Sequence, residues 1–432
     1  MKKLFSLIPI ILTVVLVFVL GACGIFSNPE DDASRDTFDI SPPSTTDAPL
    51  STDNNTDGGS IFESPVAPGD IPESEFTSII GQVNTISAEH HISFVIQHDG
   101  SLWRLGVASG TVSSTNGIPT TEIVPVKIMD DVIHISSGDN HTHAITSDGS
   151  LWGWGSNSFG QVGNGTRSET RIDAPAFIME NARHVSGGAT HTLAIRDDGS
   201  LWAWGHGFLG SETITDSNTP ILVMENVAYS AAGWHVSAAI TSDGVLWIWG
   251  GHFGGDVGNI SGREIRFTTP TRFMDNVVHV SVNANNLYAI TADGSLWRAV
   301  NDNGTLIPMW VDDNIAYVAL NQSYVMAVKT DGSLWTWGYD YGSSGSVDGS
   351  ALGVGFNAGN IFDRVWQRPI KIMDDVALVA VGSSHTLAIM TNGSLWAWGN
   401  NSFSQLGDGT VRGRMNPEPV MGFDQVMFLK LR

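Results

Sequence analysis

The sequence is poor in cysteine and in positive charge, and both deficits exclude classes of function. Its single cysteine, Cys23, cannot form an intramolecular disulfide framework or a zinc site built from cysteines. Lys and Arg number 21 against 44 Asp and Glu, so the net charge of −23 opposes binding to nucleic acid and to anionic lipid headgroups. The 432 residues contain no His-Glu-x-x-His motif, no P-loop and no Gly-x-Ser-x-Gly elbow. We therefore expect no catalytic residues, no metal ion, no cofactor and no nucleic-acid partner.

The one cysteine lies at the end of a stretch typical of an export signal. Two lysines precede an uncharged run from Leu4 to Leu20, and the run ends in Leu-Gly-Ala-Cys. The run is near the short limit for a spanning helix, so an uncleaved anchor is the alternative. The ending resembles a bacterial lipobox. We therefore expect residues 1–22 to be a lipoprotein signal peptide, and Cys23 to be lipidated and to anchor the protein to the membrane, facing outside the cytoplasm.

A long acidic segment follows the cysteine. Residues 28–77 contain twelve acidic residues and one basic residue, Arg35, among many Ser, Thr, Pro and Gly. Apolar residues are too sparse to offset the entropy of ordering. Residues 23–77 are therefore predicted to be a disordered, self-repelling stalk that reaches about 40 Å as a random coil.

Residues 78–432 are predicted to form one repeat domain. An Asp-Gly or Asn-Gly pair followed by Ser or Val and then Leu-Trp recurs at intervals of 38 to 61 residues. The pairs begin at Asp99, Asp148, Asp198, Asp243, Asp293, Asp331 and Asn392. Each unit has four strand-like pieces, and no window has a convincing helical period. The Asp-Gly pairs predict two-residue type I′ hairpin turns, in which both central residues have positive φ.

Tryptophans mark the strand after each turn. The first tryptophan is present in all seven units, as Trp103, Trp152, Trp202, Trp247, Trp297, Trp335 and Trp396. A second follows two residues later in five units, as Trp154, Trp204, Trp249, Trp337 and Trp398. Residues two apart on a strand share one face, so both sets are predicted to form the core between neighbouring sheets.

Seven four-stranded units that bury both faces predict an all-β fold, a seven-bladed β-propeller with four-stranded antiparallel blades. A linear solenoid is the alternative, but it needs polar caps that the sequence does not show. Two segments, 81–88 and 424–431, resemble the first strand of a repeat. Either could complete the ring.

Three stretches carry a family resemblance: "SGGATHTLAIRDDGSLWAWG" (186–205), "VGSSHTLAIMTNGSLWAWGNNSFSQLGDGT" (381–410) and "WGSNSFGQVGNGT" (154–166). They resemble the repeats of RCC1-type propellers (regulator of chromosome condensation), over about residues 79–432. The resemblance is strongest in the second, third and seventh repeats, and weak in the fifth. It implies a seven-bladed ring. WD40 rings, with a shorter repeat, are less similar.

The resemblance implies two kinds of activity. The eukaryotic namesake is a guanine-nucleotide exchange factor that works on chromatin, but the export signal and the lack of a basic tail argue against that role here. The sequence is more distantly similar to the propeller inhibitors of β-lactamase, which implies protein binding without catalysis. The fold alone is not sufficient evidence for either function.

Few residues suggest chemistry. His141, His191 and His385 occupy one repeat position, and equivalent positions on different blades are rotated apart. We therefore predict that each histidine bonds a loop of its own blade and binds no metal. "GHGFLG" (205–210) matches a dinucleotide pattern without the required helix. "NGT" (164–166) and "DGT" (408–410) lack the alternating acids of a calcium loop, so turns are favoured there.

Departures from the repeat are the candidate binding residues. A glycine-rich insertion at 339–367 carries Tyr339, Tyr341, Phe356 and Trp366. The loops after the tryptophan strand carry Phe159, Phe208, Phe253 and Phe403, which are predicted to lie on one face of the ring. Exposed aromatics are plausible hot spots for a protein partner or a stacking surface for sugars. The alternative is that they cover the blade ends as part of the core.

Taken together, these features predict a surface-displayed lipoprotein whose propeller is a non-catalytic binding module, with a protein as the expected ligand. A carbohydrate-binding protein or a glycan-acting enzyme is the alternative, and the enzyme would need two or more acids clustered at one mouth of the ring. A structural element of the envelope is the third possibility. The sequence does not identify the partner.

Overall fold

The computed structural model describes residues 83–88, 91–106, 114–115, 118–119, 125–251, 265–283, 286–302, 304–339, 351–354 and 365–420. All of them lie in the second of the two units into which the chain divides, Met1–Val66 and Ala67–Arg432. The described residues form seven four-stranded antiparallel sheets and one two-stranded sheet, with no helix among them. The seven-bladed β-propeller predicted from the sequence is therefore confirmed.

Each blade is built from one contiguous segment of the chain. Blade 1 contains β1 (Val83–Ala88), β2 (Ser93–Gln97) and β3 (Leu102–Leu105), then the small pair β4 (Ser114–Thr115) and β5 (Ile118–Pro119), then β6 (Val126–Met129). Blade 2 contains β7 (Val132–Ser137), β8 (His141–Thr146), β9 (Leu151–Asn157) and β10 (Ser168–Met179). Blade 3 contains β11 (Ala182–Gly187), β12 (His191–Arg196), β13 (Leu201–His206) and β14 (Asp216–Met224).

The remaining four blades repeat this order. Blade 4 contains β15 (Val227–Ala232), β16 (Val236–Thr241), β17 (Leu246–Gly251) and β18 (Arg266–Met274). Blade 5 contains β19 (Val277–Asn283), β20 (Asn286–Thr291), β21 (Leu296–Asp302) and β22 (Thr305–Asp312). Blade 6 contains β23 (Ile315–Leu320), β24 (Tyr324–Lys329), β25 (Leu334–Tyr339) and β26 (Val365–Met373). Blade 7 contains β27 (Val376–Val381), β28 (His385–Met390), β29 (Leu395–Gly399) and β30 (Arg414–Pro419).

The first strand of each blade lines a central channel, and the fourth strand is outermost. Because the four strands alternate in direction, the connections fall on two faces of the ring. The loop face carries the turns between first and second strands and the loops between third and fourth strands. The turn face carries the Asp-Gly hairpins and the linkers between blades.

The predicted type I′ turn is wrong. At the first Asp-Gly the N–H of Gly100 donates to Gln97 O (3.0 Å), and the N–H of Gln97 donates to Ser101 O (3.0 Å), so the loop has three residues. Only Gly100 has a positive φ, of 80°, which is a type I turn followed by a glycine bulge. The physical reason is the carboxylate of Asp99, which accepts from the N–H of Ser101 (2.9 Å) and thereby holds the longer loop.

The hairpins also join consecutive blades on the turn face. Between blades 2 and 3, the N–H of Ala182 donates to Gly149 O (2.9 Å) and the N–H of Asp197 donates to Asn181 O (2.8 Å). Asn181 has a φ of 59°, a conformation that Asn tolerates better than most residues. Equivalent bonds to the hairpin glycine recur at every described linker, so one short motif serves as both turn and blade clamp.

The two tryptophan positions differ in depth. The second is buried, as for Trp204 at 0% exposure, and its Nε1–H donates to Gln161 O in the loop of the preceding blade (2.9 Å). The first is half-buried, as for Trp202, and its Nε1–H donates to Ser200 Oγ beside the Asp-Gly turn (2.9 Å). The second tryptophan therefore fills the space between blades, while the first covers the edge of that space.

Two segments, 81–88 and 424–431, could complete the ring. The N-terminal segment contains β1 and supplies the innermost strand of blade 1, because β1 pairs there with β2. Segment 424–431 lies outside the described residues. Blades 7 and 1 meet through a shared apolar cluster that includes Ile86, Leu105 and Leu387. Across this seam His385 Nε2 lies 2.8 Å from Ser93 Oγ.

Candidate functional site: the central channel and its loop-face mouth

A β-bulge near the start of every innermost strand turns one side chain toward the channel. In blade 2 the register of β7 against β8 shifts between Val132 and His134, which makes Ile133 the extra residue. The same shift occurs in the other six blades. Bulges are known to re-aim side chains next to functional sites. The residues placed on the channel wall in this way are Thr85, His134, His184, Tyr229, His279, Tyr317 and Leu378.

Five of these seven side chains form a continuous arc across blades 2 to 6, which we call the ring arc. Its members, in order, are His134, His184, Tyr229, His279 and Tyr317. Successive ring centroids are 5.0, 4.7, 5.3 and 4.8 Å apart, and adjacent planes are tilted by 37° to 47°. These separations are those of rings in contact, so the arc is one packed surface.

Each histidine of the ring arc is held by the next blade. The Nε2–H groups of His134, His184 and His279 donate to Val185 O (3.0 Å), Ser230 O (2.8 Å) and Val318 O (3.2 Å), respectively. A carbonyl only accepts, so Nε2 carries the proton and Nδ1 carries a lone pair. Burial lowers the pKa of His184 to about 3 and the pKa of His279 to about 4. The ring arc is therefore uncharged at neutral pH.

A layer of hydroxyl groups lies between the ring arc and the loop face. Ser136 Oγ accepts from the N–H of Gly187 (3.0 Å), and Ser186 Oγ accepts from the N–H of Ala232 (2.8 Å). Ser87 Oγ accepts in the same way from the N–H of Ser137 (3.2 Å). In each case a side chain of one blade satisfies the inward-facing backbone of the next. These three hydroxyl groups of the channel wall are therefore hydrogen-bonded to the backbone of the next blade.

The loop-face mouth carries an exposed tryptophan. Trp234, 37% exposed, lies in the turn between β15 and β16, where blades 2 and 3 have Asp139 and Ala189. Its Nε1–H donates to Asp139 Oδ2 (2.5 Å), so the contact reaches from blade 4 to blade 2 past Ala189. In the described lining of the channel, Asp139 is the one carboxylate, and there is no Lys or Arg.

The three described loop phenylalanines lie on the loop face with different exposure. Phe159 is 42% exposed and stacks on His206, with centroids 5.4 Å apart. Phe208 is half-buried beneath the guanidinium of Arg266, and Phe403 is half-buried against the ring of His91. Of the three, Phe159 alone offers a large free surface.

The other candidate residues are described in part or not at all. Tyr339 ends β25 and Trp366 lies in β26, but only their backbones are described. Tyr341, Phe356, Phe253 and Cys23 lie outside the described residues. Trp234 was not among the residues singled out from the sequence. Its signal was the replacement of a small or polar residue at a fixed position of the repeat.

The prediction that the three repeat histidines bond their own blades is wrong. His141 Nε2 lies 2.9 Å from Thr192 Oγ1 and His191 Nε2 lies 2.9 Å from Ser237 Oγ, each on the next blade. His385 makes the equivalent bond across the seam to Ser93. These histidine side chains point toward the sheet of the next blade, so each hydrogen-bond partner comes from the neighbouring blade and not from the histidine's own repeat.

The "DGT" segment is a closed turn. Asp408 Oδ1 accepts from the N–H of Thr410 (2.9 Å) and from Asn401 Nδ2 (3.0 Å), while its Oδ2 pairs with Arg414 (2.9 Å). Both carboxylate oxygens are thus used by the protein. Among the described residues, no three His, Cys, Asp or Glu side chains are grouped so that they could hold a metal ion. That same part of the chain has no helix with the length and hydrophobicity to span a membrane.

Fold and repeat residues together define a seven-bladed β-propeller, parts of which match RCC1 repeats. The "Regulator of chromosome condensation (RCC1) repeat" matches residues 132–161, 182–210 and 376–405 in one family model, and residues 148–195 and 392–431 in another. These matches fall in the second, third and seventh repeats, where the sequence resemblance is strongest.

Known proteins share this architecture. The chain is similar to yeast RCC1 (Prp20), solved bound to Kap60, with 18% identity, a TM-score of 0.60, and coverage of 85% of this chain and 91% of that chain. Human WBSCR16 is similar with 20% identity, a TM-score of 0.57, and coverage of 77% and 93%. These likenesses show the fold alone. A stretch of 34 residues is 62% identical to the Ultraviolet-B receptor UVR8 of Arabidopsis thaliana, but it spans only 8% of this chain and 8% of that receptor.

Proposed function

We propose that this protein is a non-catalytic protein-binding module, exported and anchored to the membrane through a lipid on Cys23, whose loop face binds the partner. One observation carries the proposal. The exposed aromatic rings of the described loop face, Phe159 on blade 2 with its stacked neighbour His206 on blade 3, and Trp234 on blade 4, lie on three consecutive blades. We call these three residues the aromatic strip.

Backbone hydrogen bonds tie the members of the strip together. The N–H of His206 donates to Thr190 O (2.8 Å), and Thr190 Oγ1 donates to His206 O (2.9 Å). The neighbouring Ala189 N–H donates to Gly233 O (3.2 Å), directly before Trp234. The aromatic strip thus extends from the outer part of the loop face to the channel mouth, and hydrogen bonds connect the loops that carry its members.

The strip has the properties of a binding hot spot. Large aromatic side chains give much contact area for little conformational entropy, and they dominate measured interface energies. Stacking on His206 and the bond to Asp139 hold the rings in place before a partner arrives, which lowers the entropic cost of binding. The structure of Prp20p from Saccharomyces cerevisiae, with 18% identity, a TM-score of 0.60 and coverage of 82% of this chain and 90% of that chain, was described with its binding to Gsp1p and histones. A ring of this fold can therefore serve as a protein-binding surface.

The test is capture of a partner by the full-length protein from envelope and secreted proteins, followed by measurement of Kd with the purified partner. We expect the double variant Phe159→Ala, Trp234→Ala to weaken binding by at least about thirtyfold, since a hot-spot residue contributes about 2 kcal/mol. The matched control is Phe177→Ala, Leu222→Ala, two side chains of similar exposure on the outermost strands. An unchanged Kd in the first variant, or an equal loss in the control, would refute the loop face as the interface.

The lipid anchor has its own test. We expect intact-mass analysis to find an acylated Cys23 as the first residue of the mature chain, and the protein to fractionate with membranes. Cys23→Ala should prevent both the acylation and the cleavage. Recovery of unmodified wild-type protein in the soluble fraction would overturn the anchor and leave the binding proposal standing.

A further inference from the structure

The central channel contains a second site, between the ring arc and the layer of hydroxyl groups. The volume of the channel is about 480 Å³, within the range of about 300–1,000 Å³ that is usual for small-molecule sites. The innermost strands of all seven blades contribute to its wall. The chemistry of the wall differs from blade to blade, and these differences define what it can bind.

Three blades present an imidazole and a hydroxyl group two residues apart on one strand. Alternate residues of a strand share a face, and two residues span about 6.6 Å. We call these sets the imidazole–hydroxyl pairs: His134 with Ser136, His184 with Ser186, and His279 with Ser281. In each pair the imidazole lies in the ring arc, and the hydroxyl group lies nearer the loop face.

The imidazoles of the pairs offer hydrogen-bond acceptors to the channel. Each Nε2 holds the proton that is donated to the next blade, so each Nδ1 carries a lone pair, and none of the three Nδ1 atoms bonds a described residue. The Nδ1 atoms of His141 and His143 also make no hydrogen bond within the described residues, but they are sealed in the core. Those of the ring arc are not sealed, so a ligand can reach them.

The hydroxyl groups of the pairs offer donors. Ser136 Oγ and Ser186 Oγ each accept from a backbone N–H of the next blade, and neither donates its own hydrogen to a described residue. Ser281 Oγ bonds no described residue. Each pair therefore combines an acceptor with a donor. A ligand that carries several hydroxyl groups matches this arrangement, because a hydroxyl group both donates and accepts.

The wall opposite two of the pairs is apolar. In a seven-bladed ring, blade 6 lies across the channel from the junction of blades 2 and 3. Blade 6 has Tyr317 in the ring arc and Ala319 two residues later, and blade 7 has Leu378 and Ala380 at the same positions. Apolar and aromatic walls with a few polar groups that fix orientation are usual in small-molecule sites. A sugar ring has matching surfaces, with hydroxyl groups around its edge and C–H groups on its faces.

The absence of charge narrows the class of ligand. The described wall between the ring arc and the hydroxyl layer contains no Asp, Glu, Lys or Arg, and the ring arc is uncharged at neutral pH. A charged ligand would lose its hydration there without gaining an opposite charge. We propose that the central channel binds a small neutral saccharide, with its hydroxyl groups on the imidazole–hydroxyl pairs and the C–H face of a sugar ring on Tyr317. The site is distinct from the aromatic strip and stands without the protein partner proposed above.

Neutral and charged sugars test the proposal. The full-length protein is titrated at neutral pH with the methyl glycosides of glucose, galactose, mannose and N-acetylglucosamine, and then with the amino sugar and the uronic acid of the best-bound configuration. We expect saturable binding of at least one neutral glycoside, with a Kd of about 1 mM or below, and binding of the two charged forms that is at least about tenfold weaker. No saturable binding of any of the four neutral glycosides would overturn the site. Equal binding of the charged forms would overturn the requirement for a neutral ligand.

Two lining variants locate the sugar. Ser281→Ala removes one hydroxyl group that bonds no described residue, and we expect it to weaken binding by about fivefold. Tyr317→Leu removes the aromatic face, and we expect a loss of about tenfold. Ser242→Ala, at an exposed position of the turn face, is the matched control, with no change expected. Undiminished binding in both lining variants, or an equal loss in the control, would overturn the location.

A measurement on the wild-type protein protects the test from a variant that fails to fold. In protein with labelled histidine, we expect the best-bound glycoside to shift the Nδ1 resonances of the ring arc and to leave those of His141 and His143 in place. Saturable binding without a shift in the ring arc would overturn the proposal.

A linear oligosaccharide of four units of the best-bound sugar, titrated in parallel, distinguishes the end of a longer glycan from a free sugar as the source. Tighter binding of the oligosaccharide identifies a chain end, and tighter binding of the single sugar identifies a free saccharide. Either result supports the channel site.

Discussion

Replacement of His191 by glutamine tests how buried neutral histidines make stability depend on pH. His191 is 2% exposed, its Nε2 bonds Ser237 Oγ on the next blade, and burial lowers its pKa to about 4. In the unfolded chain its pKa is about 6.5. Between about pH 6.5 and about pH 4, His191 is protonated in the unfolded state and neutral in the folded state. Its contribution to the free energy of unfolding is therefore fully present above pH 6.5 and is lost as the pH falls toward 4. The difference amounts to about 3 kcal/mol for this one residue.

Glutamine keeps an amide group near the position of Nε2, where it can bond Ser237, and it does not titrate. Urea unfolding followed by tryptophan fluorescence, at about pH 7.5 and about pH 4.5, should show that His191→Gln loses about 2–3 kcal/mol less stability on acidification than the wild type. His98→Gln, the same substitution at an exposed position of the first hairpin, is the matched control. An equal loss in wild type and His191→Gln would refute the reasoning.

Two further pairs of variants compare positions that look alike in the sequence, both measured by urea unfolding. Gly199 has a φ of 83°, and a methyl group added there would lie no closer than 3.6 Å to any neighbouring atom, so Gly199→Ala should cost only about 1 kcal/mol. At Gly205 the added carbon would lie 2.3 Å from a backbone oxygen, so Gly205→Ala should cost several times more, and equal costs would contradict the clash. Trp204→Phe loses a fully buried hydrogen bond and should cost about 1–3 kcal/mol, whereas Trp202→Phe, at the half-buried position, should cost less. A larger loss for Trp202 would show that the first tryptophan is the deeper anchor.

The blade architecture was predictable because each blade is a contiguous repeat, marked by an Asp-Gly or Asn-Gly pair and the Leu-Trp that follows it. Local turn chemistry was less predictable. Asp-Gly alone is compatible with a two-residue or a three-residue loop, and the choice depends on whether the preceding residue joins the turn. His98 does so, because the Asp99 carboxylate bonds Ser101 and stabilises the longer loop.

The residues that line the channel could not be predicted from the sequence, for a different reason. His134 and Tyr229 stand at positions that read as ordinary half-buried strand residues, and the bulge that places them on the channel wall depends on pairing with the second strand of the blade. Partners on the next blade are equally hidden, since Thr192 lies 51 residues from His141 in the chain. Loop-face aromatics could be named from the sequence, because Phe159 departs from the strand pattern, but their exposure depends on contacts such as that with His206.

The seam between blades 7 and 1 has a consequence for the order of folding. Its bond joins Ser93 to His385, 292 residues apart, whereas His141 and Thr192 at an internal junction are 51 apart. Closing the longer loop costs about 1.5 kcal/mol more in chain entropy, from the logarithm of the ratio of the two lengths. High contact order at one interface slows folding there. The seam is therefore expected to close last, after an open crescent of blades has assembled, and to be the interface at which the native ring first opens.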